Sequence, residues 1–286
     1  MRHPIFCAAL LGGAAALSGC MGNDDAEVAR AMKSVNAIDE TNLSDIMLTV
    51  GDPREAVTYF QRSSADNPDR IDLKRGLAKS LVRAGRATEA VTAWRAVTKM
   101  PTAEDADRVA LADAQIRAND WDAAKDTLSM IPPTYESFNR YKLEAMVADS
   151  RKEWKKADSF YETSIGLTTQ PGGVLNNWGF SKLTRGDAKG AEKLFAEALT
   201  YDSTKFTTKN NLVLARAAQR KYDMPVIDMT QTERAQLLYT AALSAIKQGD
   251  VTIGKSLLQD AVDTHPQHFE EAARALAALD ANKVNG

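Results

Sequence analysis

The most regular feature of the sequence is a recurrence of small and large apolar residues about every 34 positions. A set of alanines is followed four residues later by a large apolar side chain and preceded twelve residues earlier by a small residue. The alanines are Ala56, Ala90, Ala124, Ala157 and Ala191. The large residues are Phe60, Trp94, Leu128, Tyr161 and Phe195, and the small ones are Ser44, Ala78, Ala112, Ala145 and Gly179. Since Gly51, Gly85, Asn119 and Gly186 separate the halves, each period predicts two helices joined by a turn.

This period resembles the tetratricopeptide repeat, a helix–turn–helix unit of about 34 residues. A single unit cannot bury its apolar face, so stability comes from stacking one unit on the next. The resemblance implies an all-α fold, a right-handed superhelix of about six to seven units with a C-terminal capping helix, spanning residues 37–281. The first helix of each unit, helix A, is then expected to line a groove.

The C-terminal units are less regular than the first five. The segment Lys209-Asn-Asn-Leu212 repeats Leu175-Asn-Asn-Trp178, so a sixth helix A is expected. Its helix B is expected to be broken, because Pro225 would remove a helical hydrogen bond. Residues 222–229 are therefore predicted to form an irregular loop. The segment Thr230-Gln-Thr-Glu233 fits a capping box that starts the next helix. A seventh unit to about residue 266 and a closing amphipathic helix over residues 269–279 complete the prediction.

The N-terminus reads MRHPIFCAALLGGAAALSGC, a short basic start followed by an apolar run too short to span a bilayer. Its end, Leu17-Ser-Gly-Cys20, resembles the bacterial lipobox, which implies a signal peptide at residues 1–19 and lipid on Cys20. An ordinary secretory signal cut nearby is the alternative. Residues 20–36 are expected to form the lipidated N-terminus and a tether. Because Cys7 would leave with the signal, no thiol would remain for a disulfide or a metal.

Composition narrows the possible partners. The chain of 286 residues has a formal net charge of −2, which gives no reason to expect nucleic acid. Aromatic residues make up only 7% of the chain, and alanine supplies much of the apolar surface, which suits close-packed helices.

Two candidate chemical sites are interpreted as structural. The segment GDVTIGKS, residues 249–256, matches the phosphate-loop pattern, which needs a strand before it and a helix after it. Gly249 and Gly254 instead occupy the turn and small-residue positions of the repeat, so nucleotide binding through Lys255 is not expected. His265 and His268 are interpreted as helix-end residues, not metal ligands. No catalytic residue, metal or cofactor is expected.

Binding is expected in the groove. Asparagine occupies the same helix A position at Asn42, Asn177 and Asn211, and an amide can pair with both polar groups of a passing peptide backbone. The alternative is that these side chains bond the local backbone. Neighbouring groove positions are Lys142, Met146, Asn176, Phe180, Leu183, Asn210 and Leu214. A basic set, Arg75, Lys79 and Arg83, could receive an acidic segment or form a solvated face.

The specific resemblance lies in the lipobox, the repeats and two C-terminal segments, MPVIDMTQTERAQLLYTAALSAIKQGDV and THPQHFEEAARAL. Together they resemble the TadD lipoprotein family of the tight-adherence (Flp) pilus machinery. The resemblance implies a lipoprotein on the periplasmic face of the outer membrane that helps to assemble the pilus secretion apparatus, with a pilotin-like role toward the secretin. Alternatives are a repeat lipoprotein of the β-barrel assembly machine, a nucleotide hydrolase, or a spacer without a groove ligand.

Overall fold

The computed structural model describes residues 43–284, and it describes side chains up to residue 280. This part of the chain is helical, with short connections and no strand, so the predicted all-α fold is confirmed. The helices are α1 (43–49), α2 (Pro53–Asp66), α3 (Ile71–Arg83), α4 (Ala87–Val97), α5 (Asp105–Arg117), α6 (Trp121–Ser129), α7 (Phe138–Ser150), α8 (Trp154–Gly166), α9 (Gly172–Thr184), α10 (Ala188–Tyr201), α11 (Phe206–Ala217), α12 (Gln231–Lys247), α13 (Val251–Thr264) and α14 (Glu270–Val284). Over this same range, no helix is both long enough and apolar enough to cross a membrane.

The described residues divide into two compact units, one ending at Ala84 and the other beginning at Gly85. The first unit contains α1, α2 and α3, whose core is formed by Ala56, Phe60 and Leu73. At its C-terminal end, the Arg83 guanidinium donates hydrogen bonds to the carbonyl oxygens of Met47 at 2.7 Å and Gly51 at 2.9 Å. Arg83 therefore holds the turn between α1 and α2 against the end of α3.

The second unit contains α4 to α14, and its core repeats with the period of the sequence. Consecutive helices contact one another throughout most of this unit, most extensively α7 with α8, α9 with α10 and α12 with α13. In both units, the predicted alanines have no exposed surface, and the large residues that follow them are at most 4% exposed. The small residues thus let the helices approach closely, and the large residues fill the core between them, as the pattern predicts.

Short polar caps set the starts of several second helices. The Asp52 carboxylate accepts hydrogen bonds from two backbone amides at the start of α2, and the Asp187 carboxylate accepts one from the Gly190 amide at the start of α10. The turn before α10 contains Gly186 with φ 90°, and the turn before α13 contains Gly249 with φ 86°. Lys152 and Arg220 occupy the same left-handed region at φ 60° and 59°. The turns are therefore similar, although their sequences differ.

An irregular segment separates α11 from α12, where the sequence predicts a break. Residues 221–230 contain no helix. The segment is held at both ends: the Tyr222 hydroxyl donates to Asp250 at 2.6 Å, and Thr230 and Glu233 form the predicted capping box of α12. Between them Met224, Ile227 and Met229 pack against the core, while Val226 is fully exposed. The closing helix, α14, extends beyond the predicted residue 279.

Candidate functional site

The second unit contains a cavity of about 500 Å³ between α6, α7, α8, α9 and α11. A volume in this range is typical of ligand-binding clefts in proteins. Its wall is formed mainly by aromatic, amide and hydroxyl side chains. The residues that line it are Trp121, Met146, Asp149, Ser150, Trp154, Tyr161, Asn176, Asn177, Phe180, Ser181, Thr184, Thr207 and Asn211. Five of them are predicted groove residues: Met146, Asn176, Asn177, Phe180 and Asn211.

Asparagines from two successive repeats meet on one side of the cavity. The side-chain amide of Asn211 donates to the side-chain oxygen of Asn176 at 3.1 Å. The side-chain amide of Asn177 donates to the Met146 sulfur at 3.6 Å. These bonds join neighbouring helices, so they differ from the local backbone bonds considered as the alternative. Each side-chain amide has two donor hydrogens and an acceptor oxygen, so one such contact does not use all of its hydrogen-bonding groups.

A second cavity, of about 360 Å³, continues the polar side of the first. It shares Asn176, Asn177 and Thr207 with the first cavity and extends to Tyr201 at the end of α10 and to Asp202 just after it. The asparagine pair therefore lies between two adjoining depressions. An extended chain crossing them would pass directly over the amides.

Among the described residues that line this cavity, Asp149 alone has a formal charge. Its carboxylate accepts hydrogen bonds from the Tyr161 hydroxyl at 2.8 Å and the Ser181 hydroxyl at 2.7 Å, and both donors are neutral. Burial raises the pKa of the Asp149 carboxyl above its usual value, although these hydrogen bonds oppose the increase. Burial, together with the neighbouring Asp149 charge, also raises the pKa of Tyr161, which stays a hydroxyl donor.

A neighbouring carboxylate, Asp158, has a different environment. It accepts hydrogen bonds from the Trp178 indole at 2.5 Å and the Lys182 ammonium at 3.1 Å, and it pairs with the Arg185 guanidinium. Burial raises the pKa of this carboxyl, but the hydrogen bonds from Arg185, Trp178 and Lys182 outweigh burial and hold it below its usual value. Two cations therefore compensate Asp158, whereas Asp149 receives only hydroxyls.

The other predicted groove residues of the second unit do not line this cavity. Lys142 is half-buried, which lowers the pKa of its ammonium, and it donates to Asn139 at 3.0 Å. Asn210 accepts a hydrogen bond from the Thr240 hydroxyl at 2.8 Å. Leu183 packs against the core near Phe195, and Leu214 is half-buried. Their roles in binding stay predictions.

The remaining predicted site residues lie elsewhere. Arg75, Lys79 and Arg83 are on α3 of the first unit, where Arg83 is bonded to backbone carbonyls. Asn42 and Cys20 lie outside the described residues.

The phosphate-loop match lies on helical structure. It is preceded by α12, where the motif needs a strand, and Val251 already begins α13. Gly254 faces α12, where Ile246 and the Ala242 carbonyl leave no room for a larger residue. Lys255 pairs with Asp280. Both glycines and the lysine thus have structural roles.

The two C-terminal histidines make local contacts. A His265 ring nitrogen lies 2.8 Å from the Gln267 carbonyl oxygen, and His268 lies 2.8 Å from a Glu270 carboxylate oxygen. Within residues 43–280, no group of three potential metal ligands converges.

The helix A pattern does not indicate the cavity residues that lie outside the helix A face. Trp121 and Trp154 each begin a helix B, three residues before Ala124 and Ala157. Asp149 lies near the end of α7, one turn before the left-handed Lys152. The shared spacing of the two tryptophans was a usable signal, because equivalent repeat positions point to equivalent faces. Asp149 has no equivalent acidic residue in the neighbouring repeats to reveal it.

Comparisons with known proteins agree with this architecture. Residues 43–106 match the family model described as tetratricopeptide repeat. No curated protein matches the sequence. Among solved structures, the chain is similar to the APC/C hetero-tetramer Cut9–Hcn1, with 13% identity and a TM-score of 0.60, over 82% of this chain and 47% of that one. The chain thus spans about half the length of that relative.

Two bacterial structures are covered more completely. A tetratricopeptide repeat protein from Parabacteroides merdae has 11% identity and a TM-score of 0.55, over 82% of this chain and 95% of that one. The protein TTC0263 from Thermus thermophilus has 16% identity and a TM-score of 0.52, over 61% of this chain and 95% of that one. Likeness at such low identity shows the fold alone. The matched segment and these structures show that the fold is that of the tetratricopeptide repeat.

Proposed function

We propose that this chain is a non-enzymatic scaffold that binds an extended segment of a protein partner in the cavity of its second unit. The observation that carries the proposal is the meeting of amide and aromatic side chains from successive repeats around one cavity of about 500 Å³. Amides can bond a peptide backbone whatever its sequence, and aromatic rings can bury its side chains. Phe180 is 52% exposed in this wall, so its ring is accessible to a side chain of a bound segment.

We propose further that the partner belongs to the tight-adherence pilus machinery and that lipid on Cys20 holds the protein on the periplasmic face of the outer membrane. The support is the lipobox-like Leu17–Cys20 segment together with the C-terminal segments that resemble the TadD family. A pilotin-like role toward the secretin follows from that resemblance. The rival partner is the β-barrel assembly machine. A role in nucleotide hydrolysis is not favoured, because Lys255 is paired on a helix.

The partner can be identified by crosslinking from inside the cavity in cells that assemble pili. Phe180 is replaced by a photoreactive phenylalanine analogue in the full-length protein, and the crosslinked proteins are identified by mass spectrometry. Leu167, 41% exposed and not part of the cavity wall, is the matched control position. We expect the Phe180 position, but not the Leu167 position, to capture a secretin or another pilus-assembly component.

Other outcomes of the crosslinking separate the parts of the proposal. Capture of a barrel-assembly component would support the proposed scaffold role and reject the proposed partner from the pilus machinery. Equal capture from both positions, or none from the Phe180 position, would reject the cavity as the binding site.

The anchor has its own test. A Cys20→Ser variant is expected to leave the outer-membrane fraction, because the acyl chains that hold such a protein on a bilayer would have no attachment site. A Cys7→Ser variant should fractionate like the wild type, since Cys7 lies within the proposed signal peptide. Retention of Cys20→Ser in the outer membrane would refute the lipid anchor while leaving the cavity proposal intact.

A further inference from the structure

We propose that the cavity accepts a basic side chain, lysine or arginine, from the bound segment, and that Asp149 pairs with its charge. This inference rests on the proposed function and specifies the chemistry of the ligand. It depends on three features: an uncompensated carboxylate, aromatic walls, and amides placed to hold the backbone beside them.

Within residues 43–280, no cation bonds the Asp149 carboxylate directly. Its hydrogen bonds come from the hydroxyls of Tyr161 on α8 and Ser181 on α9, at 2.8 and 2.7 Å. Arg185 lies close enough to affect it electrostatically, but the guanidinium is paired with Asp158. A carboxylate that is partly removed from water and bonded only to neutral donors is stabilised when a cation reaches it. The cavity provides the route for that cation.

The aromatic walls favour the same kind of ligand. Trp121, Trp154 and Phe180 all line the cavity, and the electron-rich faces of such rings attract cations. The protein already contains this interaction next to the cavity, where the Arg185 guanidinium carbon lies 5.6 Å from the centre of the Trp154 ring. An arginine or lysine side chain could bury its aliphatic part against these rings and extend its charged end to Asp149. An acidic side chain would instead meet the Asp149 carboxylate, and no described residue of the cavity wall is a cation.

The asparagines position the rest of the ligand. Asn176, Asn177 and Asn211 line the cavity together with Asp149 and continue into the adjoining depression. A backbone that bonds these amides would place one side chain in the aromatic part of the cavity and the next residues over Thr207. The inferred ligand is therefore an extended peptide with one basic residue at a fixed position.

The test is a selection of displayed random heptapeptides against the full-length protein in detergent, run in parallel with three variants. Asp149→Asn keeps the shape of the side chain and removes its charge. Asp113→Asn is the matched control, because that carboxylate pairs with Arg117 on its own helix and does not line the cavity. Phe180→Ala tests whether the cavity is used at all. Thermal unfolding of each variant shows whether it is folded before its selection is interpreted.

We expect the wild type and Asp113→Asn to enrich peptides with lysine or arginine at one position. A resynthesised peptide should bind Asp149→Asn at least about tenfold more weakly, and replacing its basic residue by norleucine should weaken wild-type binding to a similar extent. Enriched peptides that need Phe180 but show no basic preference would overturn this inference and retain the proposed function. No enrichment, or binding unaffected by Phe180→Ala, would overturn both.

Discussion

A Gly179→Leu variant is expected to lose about 2–3 kcal/mol of the free energy of unfolding, because it forces a side chain into a filled core. A Cβ atom added at Gly179 would lie 2.7 Å from a ring carbon of Phe195, closer than such atoms approach in proteins. Phe195 cannot easily move, since its side chain has no exposed surface and packs with Ala191 and Leu212. The helix gains some propensity from losing a glycine, but only by about 1 kcal/mol.

The measurement is urea unfolding followed by circular dichroism, comparing midpoint and slope. Gly173→Leu is the matched control on the same helix, α9, because an added Cβ there meets nothing within 4 Å. That variant should be as stable as the wild type or slightly more stable. Equal effects at the two positions would show that the close approach of α9 and α10 does not limit the residue at position 179.

A compensating substitution tests the specific contact. Phe195→Ala alone should cost about 3–5 kcal/mol, since it leaves a cavity in the core. In the Gly179→Leu/Phe195→Ala double variant, the new leucine can occupy part of the vacated space. The combined loss should therefore be smaller than the sum of the two single losses by at least about 1 kcal/mol. Strict additivity would contradict the contact.

The pairing of Gly179 with Phe195 illustrates what the sequence could predict. A 34-residue period fixes which residues are equivalent, so one recurring small–large pair predicts the same packing in each repeat. The buried alanines and the large residues that follow them were found in this way. The capping box at Thr230 was also predictable, because its hydrogen bonds involve residues only three apart.

Features that depend on the backbone conformation of an individual turn were less predictable. Lys152 and Arg220 adopt left-handed turns that the sequence rules assign to glycine or asparagine. The Arg83 side chain has the spacing of a groove cation, yet it bonds carbonyls of Met47 and Gly51, far away in sequence. In both cases the observed conformation or hydrogen bond depends on where a turn lies in the folded chain. Residue type and spacing alone do not predict that position.

The cavity was predicted in part for a related reason. Asn176, Asn177 and Asn211 follow the helix A pattern, so the repeat indicated them in advance. Trp121 and Trp154 come from the starts of second helices, and Asp149 comes from the end of α7. The repeat pattern compares equivalent positions on one helix face. It therefore cannot predict a cavity wall that combines the helix A face, the starts of second helices and the end of α7. The chemistry proposed for the ligand depends on those added residues.

Lys209→Met is expected to lower the free energy of unfolding by about 2–3 kcal/mol. This is less than the full penalty for breaking a buried ion pair, because Glu233 is partly exposed. The Lys209 side chain is only 4% exposed, and its ammonium lies 3.0 and 3.1 Å from the two carboxylate oxygens of Glu233, whose side chain is 20% exposed. Glu233 also accepts a hydrogen bond from the Thr230 amide at 2.8 Å. The lysine thus joins α11 to the start of α12 across the irregular segment.

Lys205→Met is the matched control for this substitution. Lys205 pairs with Asp202, but the two side chains are 68% and 39% exposed, and such surface pairs contribute less than about 1 kcal/mol. We expect urea unfolding at neutral pH to show a clear loss for Lys209→Met and almost none for Lys205→Met. Similar small losses would mean that the segment between α11 and α12 is not held by the pair.

The pH dependence separates lost charge pairing from altered packing. The hydrogen bond from the Thr230 amide, with the bond from Lys209, lowers the pKa of Glu233 in the folded protein. Because the folded-state pKa lies below the unfolded one, the stabilisation is complete above the unfolded value, about 4.3, and is lost as the pH falls through the folded value. The difference in unfolding free energy between wild type and Lys209→Met should therefore be constant from pH 7 to about pH 5 and narrow below about pH 4. A difference that persists unchanged into acid would assign the loss to packing of the lysine stem.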